Sequence, residues 1–258
     1  MLRSLCYDVL EAITGHRGAQ VFIGPDTKPE SFVVPLRWRH WFGKNYEAPT
    51  FDFVAKYCRP GMTFLDIGAH FGIFSISAGR RLGPHGKIFS FEPCPSTRAT
   101  MHEFLRLNPV ETPIEVREEA VWNVSGTERL YFSEAPGDAA NTMFRDQQHQ
   151  TESHVKTISL DDFATSFSWL QIDCLKIDAE GAELAILRGG RTLLTQQQPK
   201  THLSLHPTQI EAGRGSLPEI WDLVNDYGMR ICLPQGDRTS REWFCAQHEL
   251  FDVLLLPA

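Results

Sequence analysis

From residue 60 to the end of the chain, short apolar runs alternate with segments whose apolar positions recur at helical spacing. Residues 62–67 are apolar and turn into a glycine-containing bend, and residues 71–82 carry helical periodicity up to Gly83-Pro84. That order predicts strand, tight turn and helix. Residues 87–92 read as a second strand closed by Pro93. Residues 95–108 read as a second helix, with Ser96 or Thr97 available as N-cap. Residues 114–122 and 127–134 predict two further strands. Residues 154–163 lead into a short helix, and residues 174–178 form a strand running into a turn. Residues 184–194 predict a helix stopped at Gly189-Gly190 or continuing to Leu194. Residues 200–205 are the fifth main strand, 218–229 a helix, and 230–234 with 250–257 a closing antiparallel pair.

Upstream, Pro49 suits a first helical turn. Phe51, Val54, Ala55 and Cys58 share one face of a helix that Pro60-Gly61 ends. Residues 21–43, with three prolines and two tryptophans, predict short strands and loops. Residues 1–15 predict an amphipathic helix, because Asp8 and Glu11 interrupt their apolar positions. The polar, Gly/Pro/Gln-rich residues 134–153 predict an exposed loop. These readings divide the chain into an N-terminal extension or cap (1–45) and one main domain (46–258).

Strand–helix alternation implies an α/β fold with a mostly parallel twisted sheet, helices on both faces and an antiparallel strand at the C-terminus. Ligands of such sheets bind beyond the carboxyl ends of the strands. With 42% hydrophobic and 22% charged residues among 258, the chain can bury a sizeable core. Its net charge of −7 gives no general attraction to phosphate backbones, so a nucleic-acid partner is not expected. The six cysteines are scattered without metal-ligand spacing, which predicts reduced, mostly buried thiols and a cytoplasmic protein. No run approaches the ~20 apolar residues that span a bilayer.

Four groups of candidate residues end strands. The first is Asp66-x-Gly68-Ala69-His70-x-Gly72. A leading carboxylate repels a diphosphate and suits a cationic ligand, while Gly68 permits a tight turn and Gly72 close packing of the helix. The second is Glu92, followed by Pro93, at the next strand end, where a carboxylate can accept from both hydroxyls of a ribose. The third is Asp178-Ala179-Glu180-Gly181, able to orient an ammonium group, hold a metal or act as a base; Glu183 reads as decoration of a helix N-terminus. The fourth is His206, a residue type suited to proton transfer near neutrality.

Taken in order, the segments YEAPTFDFVAKYCRPGMTFLDIGAHFGIFSIS, FSFEPCPST, ISLDDF, LKIDAEGAELAILRGG and LSLHP resemble the FkbM-type methyltransferases over residues 45–210. The resemblance implies a class I methyltransferase Rossmann-like fold, S-adenosylmethionine as methyl donor, and O-methylation of a small-molecule, sugar or lipid acceptor. It implies cofactor binding by Asp66, Gly68, Ala69, His70, Gly72, Glu92, Pro93 and Asp178, with Glu47 and Thr50 near the methionine end and Ala120 beside adenine. Glu180 or His206 would be the base, with Asp178 orienting donor and acceptor. Two positions depart from the family pattern: His70 stands where Asn is common, and Ser204 where a Glu is common. Ser204 cannot supply a carboxylate to a base or a metal, so no metal ligands are assigned. An NAD-dependent oxidoreductase and a non-catalytic cofactor-binding module are the alternatives, the first disfavoured by the absent third glycine of a dinucleotide turn.

Overall fold

The structure is a computed structural model that describes residues 18–132 and 151–258. The expected N-terminal helix and residues 134–150 of the expected loop lie outside the described residues. Residues 151–153, expected in that loop, belong to a strand.

The chain begins with a hairpin of β1 (Ala19–Ile23) and β2 (Glu30–Val34) and a short 3-10 turn at Leu36–Trp38. Helix α1 (Ala48–Tyr57) follows, then β3 (Thr63–Ile67), α2 (Ile73–Leu82), β4 (Lys87–Phe91), α3 (Pro95–Leu107) and β5 (Ile114–Arg117). A small sheet of β6 (Ala120–Val121), β7 (Gly126–Phe132) and β8 (Thr151–Ile158) comes next, in the order β6-β8-β7. The chain continues through α4 (Leu160–Ser166), β9 (Cys174–Ile177), α5 (Glu183–Arg188), α6 (Arg191–Gln196) and β10 (Lys200–Leu205). It ends with α7 (Pro207–Ala212), α8 (Leu217–Asp226), β11 (Met229–Cys232), α9 (Arg241–Cys245) and β12 (Phe251–Pro257).

Seven strands form the main sheet in the order β11-β12-β10-β9-β3-β4-β5. The five from β10 to β5 are mutually parallel, and β12 runs antiparallel between β10 and β11. Both faces are covered, and the period of two along β3 assigns its side chains to them. Leu65 and Ile67 join a core with Phe163, Leu187, Ile220 and Phe244 from α4, α5, α8 and α9. Phe64 joins Phe53, Val54, Ala78 and Leu82 of α1 and α2 on the other face. The N-terminal hairpin packs on that second side, where Ile23, Phe32, Val34 and Trp38 meet Phe51, Phe74 and Phe104.

Two boundaries differ from expectation. Helix α3 is entered through Cys94 with Pro95 in its first turn, not capped by Ser96 or Thr97, because proline's fixed φ is preorganised for a first turn. The run 114–122 breaks at Glu118-Glu119, whose carboxylates lie near Lys156, Arg98 and Arg117. Ala120-Val121 then leaves the main sheet to pair with β8. Gly189-Gly190 separates two short helices, α5 and α6. Cys58, Cys94, Cys174 and Cys232 are buried free thiols and Cys245 is half-buried. Among the described residues, no helix is long and apolar enough to cross a membrane.

Candidate active site

The sheet reverses direction of growth between β3 and β9. From β3 the chain moves outward to β4 and β5, then returns to lay β9 on the opposite side of β3. Ile67 and Ile177 are register partners at the ends of these strands, so the turns that follow them leave from adjacent points and open a crevice. A cleft of about 1150 Å³, counting the space open at its mouth, lies there. Glu47, Gly68, Ala69, His70, Glu92, Pro93, Ala120, Asp178, Glu180 and His206 all line it. Tyr46, Lys176, Ser204, Phe91, Val121, Leu130 and Leu250 line it as well.

The turn after β3 is held by backbone donors. The N–H groups of Gly68 and Ala69 both donate to the Phe91 carbonyl, at 3.1 and 3.0 Å. His70 adopts φ 50, the left-handed region in which Asn, Asp and His are the commonest non-glycine residues. His in place of the family's Asn therefore keeps the conformation. The His70 N–H donates to Glu92 Oε2 at 3.0 Å and the Cys94 N–H to Oε1 at 2.9 Å. Burial pushes the Glu92 carboxyl up to about 7, although those two N–H bonds oppose it. Each oxygen keeps acceptor capacity, since a carboxylate offers about four lone-pair sites. A pair of ribose hydroxyls is a donor set of matching chemistry, and Phe91, Ala120, Val121 and Leu130 supply an apolar wall beside it.

Three expected contact residues stand behind the wall. Asp66 is fully buried and does not line the cleft. It accepts from Ser75 Oγ at 2.6 Å, and its Oδ1 is 3.5 Å from Lys176 Nζ. Those partners leave it no direct path to a ligand. Gly72 (φ 74) precedes α2, and a Cβ there would come 2.8 Å from Met101 of α3, so it permits helix–helix approach rather than packing on the strand. Thr50 is buried and donates to Glu47 Oε2 at 3.3 Å. Gly68 does line the cleft, but its glycine is required by the protein itself: at φ +71, a Cβ would sit 1.8 Å from the Asp178 carbonyl oxygen.

The turn after β9 carries the densest charge. Lys176 is buried, with Nζ 3.5 Å from both Asp66 and Asp178, and it donates to the Gly68 carbonyl at 2.9 Å. Burial opposes the Asp178 charge, but Lys176 and His206 hold that carboxyl below the usual carboxylate range. Glu180 projects from a left-handed residue, φ 47. His206 Nε2 lies 3.4 Å from Glu180 Oε2 and 3.7 Å from Asp178 Oδ1, while Nδ1 is 2.9 Å from Glu183 Oε1. Burial would lower the His206 pKa; hydrogen bonding to Glu180 and Glu183, together with their charges, outweighs it and pushes the imidazole up to about 11. An imidazole that already carries its proton at neutrality cannot take a second one.

Glu183 corrects the expectation of surface decoration. It is fully buried, and its Oε1 also accepts from the N–H groups of Ala179 and Gly181, at 3.2 and 3.1 Å. One carboxylate thus ties the 179–181 turn to His206. The signal was in the helical period: Glu183 shares a face with the buried Ile186 and Leu187, where a solvated acid does not belong. Lys176 also stands in the cleft wall, a place with no local signature in the sequence.

Ser204 is compensated across the sheet. Its Oγ donates to Asp252 Oδ1 at 2.7 Å, and Asp252 is its register partner on β12. A carboxylate is therefore present beside this position, delivered by the neighbouring strand. Burial first, then Asp178 and Asp252, push the Glu47 carboxyl up to about 7. Burial with Glu47 and Asp178 raises the Tyr46 phenol as well.

The comparisons with known proteins agree with this architecture. The family model described as the methyltransferase FkbM domain matches residues 66–231. The 2-O-methyltransferase NoeI of Sinorhizobium fredii is 26% identical over 231 residues, covering 80% of this chain and 92% of the relative. Among solved structures, one described as an rRNA-methylase from Clostridium thermocellum aligns with TM-score 0.50 at 8% identity, over 83% of this chain and 96% of that one. At that identity the likeness concerns the fold alone. The crystal structure of methyltransferase FkbM from Methylobacillus flagellatus aligns with TM-score 0.48 at 15% identity, over 81% of this chain and 51% of that one.

Proposed function

The chain belongs to the FkbM methyltransferase family, and on that premise we propose that it moves the methyl group of S-adenosylmethionine onto a hydroxyl of a small molecule, sugar or lipid. The observation that carries the reading is the pairing of two acids on one cleft. Glu92, held by two backbone N–H groups, and Asp178, beside Lys176, face it from opposite sides of the 68–70 turn. Such a cleft suits a positively charged adenosyl compound, and no glycine-rich cradle for a diphosphate accompanies it among the described residues. The alternative of an NAD-dependent oxidoreductase is at odds with the family. The alternative of a non-catalytic module loses its support, since His70 keeps the turn and Asp252 stands in beside Ser204.

In this reading Glu92 accepts from the ribose hydroxyls, and Ala120 with Val121 and Leu130 packs on the adenine. Glu47, set by Thr50, and Asp178 orient the amino-acid end. The bound donor supplies an electrophilic methyl on a sulfonium. The residues 178–180 and His206 line the remainder of the cleft, where an acceptor oxygen would lie in line with that methyl. Holding the two partners in that alignment can account for about 7–11 kcal/mol of the barrier. Asp66 acts through Lys176 and the shape of the turn. Residues 18–45 form a cap over α1–α3, and the acceptor meets the rim at Leu250, which is 59% exposed. The net charge and the cleft's acidity favour an acceptor that is not a nucleic acid.

Calorimetric titration of the purified chain with S-adenosylhomocysteine and with NAD tests the donor. Binding of the first and not the second is expected, and the reverse result sinks the proposal. Transfer of labelled methyl to a hydroxyl library, with analysis of the linkage formed, tests O-methylation.

A further inference from the structure

Building on the methyl-transfer reading, we propose that Asp178, Glu180 and His206 bind a divalent metal ion next to the acceptor. One oxygen from each carboxylate and one imidazole nitrogen lie within 4.8 Å of one another. His206 Nε2 is 3.4 Å from Glu180 Oε2 and 3.7 Å from Asp178 Oδ1. An ion about 2.0–2.2 Å from each ligand separates neighbouring ligand atoms by roughly 3.0–3.5 Å in octahedral or tetrahedral geometry. The two imidazole–carboxylate distances lie within a few tenths of an ångström of that range, and the ion would draw the two carboxylates together from a separation of at most 4.8 Å. Two carboxylates with one imidazole suit Mg²⁺, Mn²⁺ or Zn²⁺ rather than a thiolate-seeking ion.

The surroundings of His206 point the same way. A ligating imidazole characteristically has its other nitrogen on a carboxylate, which fixes the tautomer and aims the free lone pair at the metal. Glu183 is that carboxylate, 2.9 Å from Nδ1 and fully buried. Because it also holds the N–H groups of Ala179 and Gly181, it steadies the turn that presents Glu180. The Asp178 and Glu180 side chains remain 26% and 19% exposed towards the cleft, which leaves an entry path and open coordination positions. Formal charge completes the case. Asp66, Asp178, Glu180 and Glu183 converge here with Lys176 among them. An ion that binds here displaces the His206 proton; with that ring neutral, the methyl donor adds one positive charge and the divalent ion supplies the two still lacking. The carboxylate missing at Ser204 does not count against the site, because that position is not one of these ligands.

The ion gives the cluster its chemistry. An acceptor hydroxyl that takes an open position has its oxygen polarised, and its proton passes to a water at the cleft mouth. The oxygen then forms the O–CH₃ bond while the CH₃–S bond breaks, its electron pair staying on sulfur as the sulfonium becomes a thioether. Glu180 and His206 hold the ion in this scheme and need not carry the proton.

The test uses the full chain, stripped with EDTA and dialysed, with MnCl₂ uptake followed by loss of the free Mn²⁺ paramagnetic resonance signal. S-Adenosylhomocysteine binding is measured in parallel by calorimetry. One Mn²⁺ per chain is expected. Asp178→Asn and Glu180→Gln should each weaken uptake at least tenfold, and Glu183→Gln, which leaves all three ligands in place, by about 10–100-fold. The exposed-site control Glu211→Gln should bind as the parent, and circular dichroism checks that each variant is folded. A chain that binds S-adenosylhomocysteine but takes up no Mn²⁺, or whose uptake survives the Asp178 and Glu180 changes, overturns the metal site and leaves methyl transfer standing. Mn²⁺ uptake without any S-adenosylhomocysteine binding overturns the methyl-transfer reading and the ion's role with it.

Discussion

At the residue scale, the site is made of acids whose neighbours set their work. Glu180 lines the cleft beside His206; in the proposed reading it lies on the acceptor side, so Glu180→Gln should keep S-adenosylhomocysteine affinity and lower turnover by about 10²–10⁴-fold. Parallel calorimetry and rate assays would check this split. Glu183 holds the His206 proton, and Glu183→Gln should bring the His206 pKa down from about 11 towards its ordinary 6.5, read by NMR titration of the ring signals. Glu92 gives a pH signature. Its carboxyl releases its proton near 4.5 when unfolded and near 7 when folded. Its neutral form therefore favours the fold in acid, and this contribution is lost as pH rises from about 4.5 to about 7. Glu92→Gln should make the decline in unfolding free energy between pH 5 and pH 8 shallower, with Glu47 supplying the remainder. The strand-end acids and His206 were readable as chemistry because each closes an apolar run. The Glu183–His206 and Ser204–Asp252 pairs were not, because their members sit 23 and 48 residues apart and meet only through the sheet.

At the element scale, the turn after β3 is the most constrained piece. Gly68→Ala meets both a left-handed φ and the Asp178 carbonyl at 1.8 Å, so β9's turn must move aside. Strain of this kind costs at least about 1–3 kcal/mol. A fall in Tm together with weakened S-adenosylhomocysteine binding is expected, and a variant with both unchanged would refute the close approach. Strands β3, β4, β9 and β10 were legible as apolar runs, and α1–α3 as periodic segments ended by Gly or Pro. The defection of Ala120-Val121 to the small sheet was hidden, since a strand's partner is a long-range choice that local pattern does not encode.

At the scale of the whole molecule, the N-terminal hairpin shares its core with α1, α2 and α3. Phe32 is fully buried, stacks edge-on against Phe51 and carries Arg80 over its ring. Phe32→Ala should cost about 3–5 kcal/mol. If the hairpin and the sheet form one cooperative body, chemical denaturation will show a single transition shifted to lower denaturant; a separate early transition would mark the hairpin as independent. The sheet's last strand carries a different consequence. Since β12 runs against β10, it is the beginning of β12, Phe251, that lies level with the end of β10, Leu205. Residues 246–250 therefore arrive at the mouth before the strand is laid down, bringing Leu250 with them. Evolution or an engineer can lengthen, shorten or rewrite that approach segment while the ladder behind it stays in register. In the proposed reading, selectivity for new acceptors is then open to change without remaking the fold.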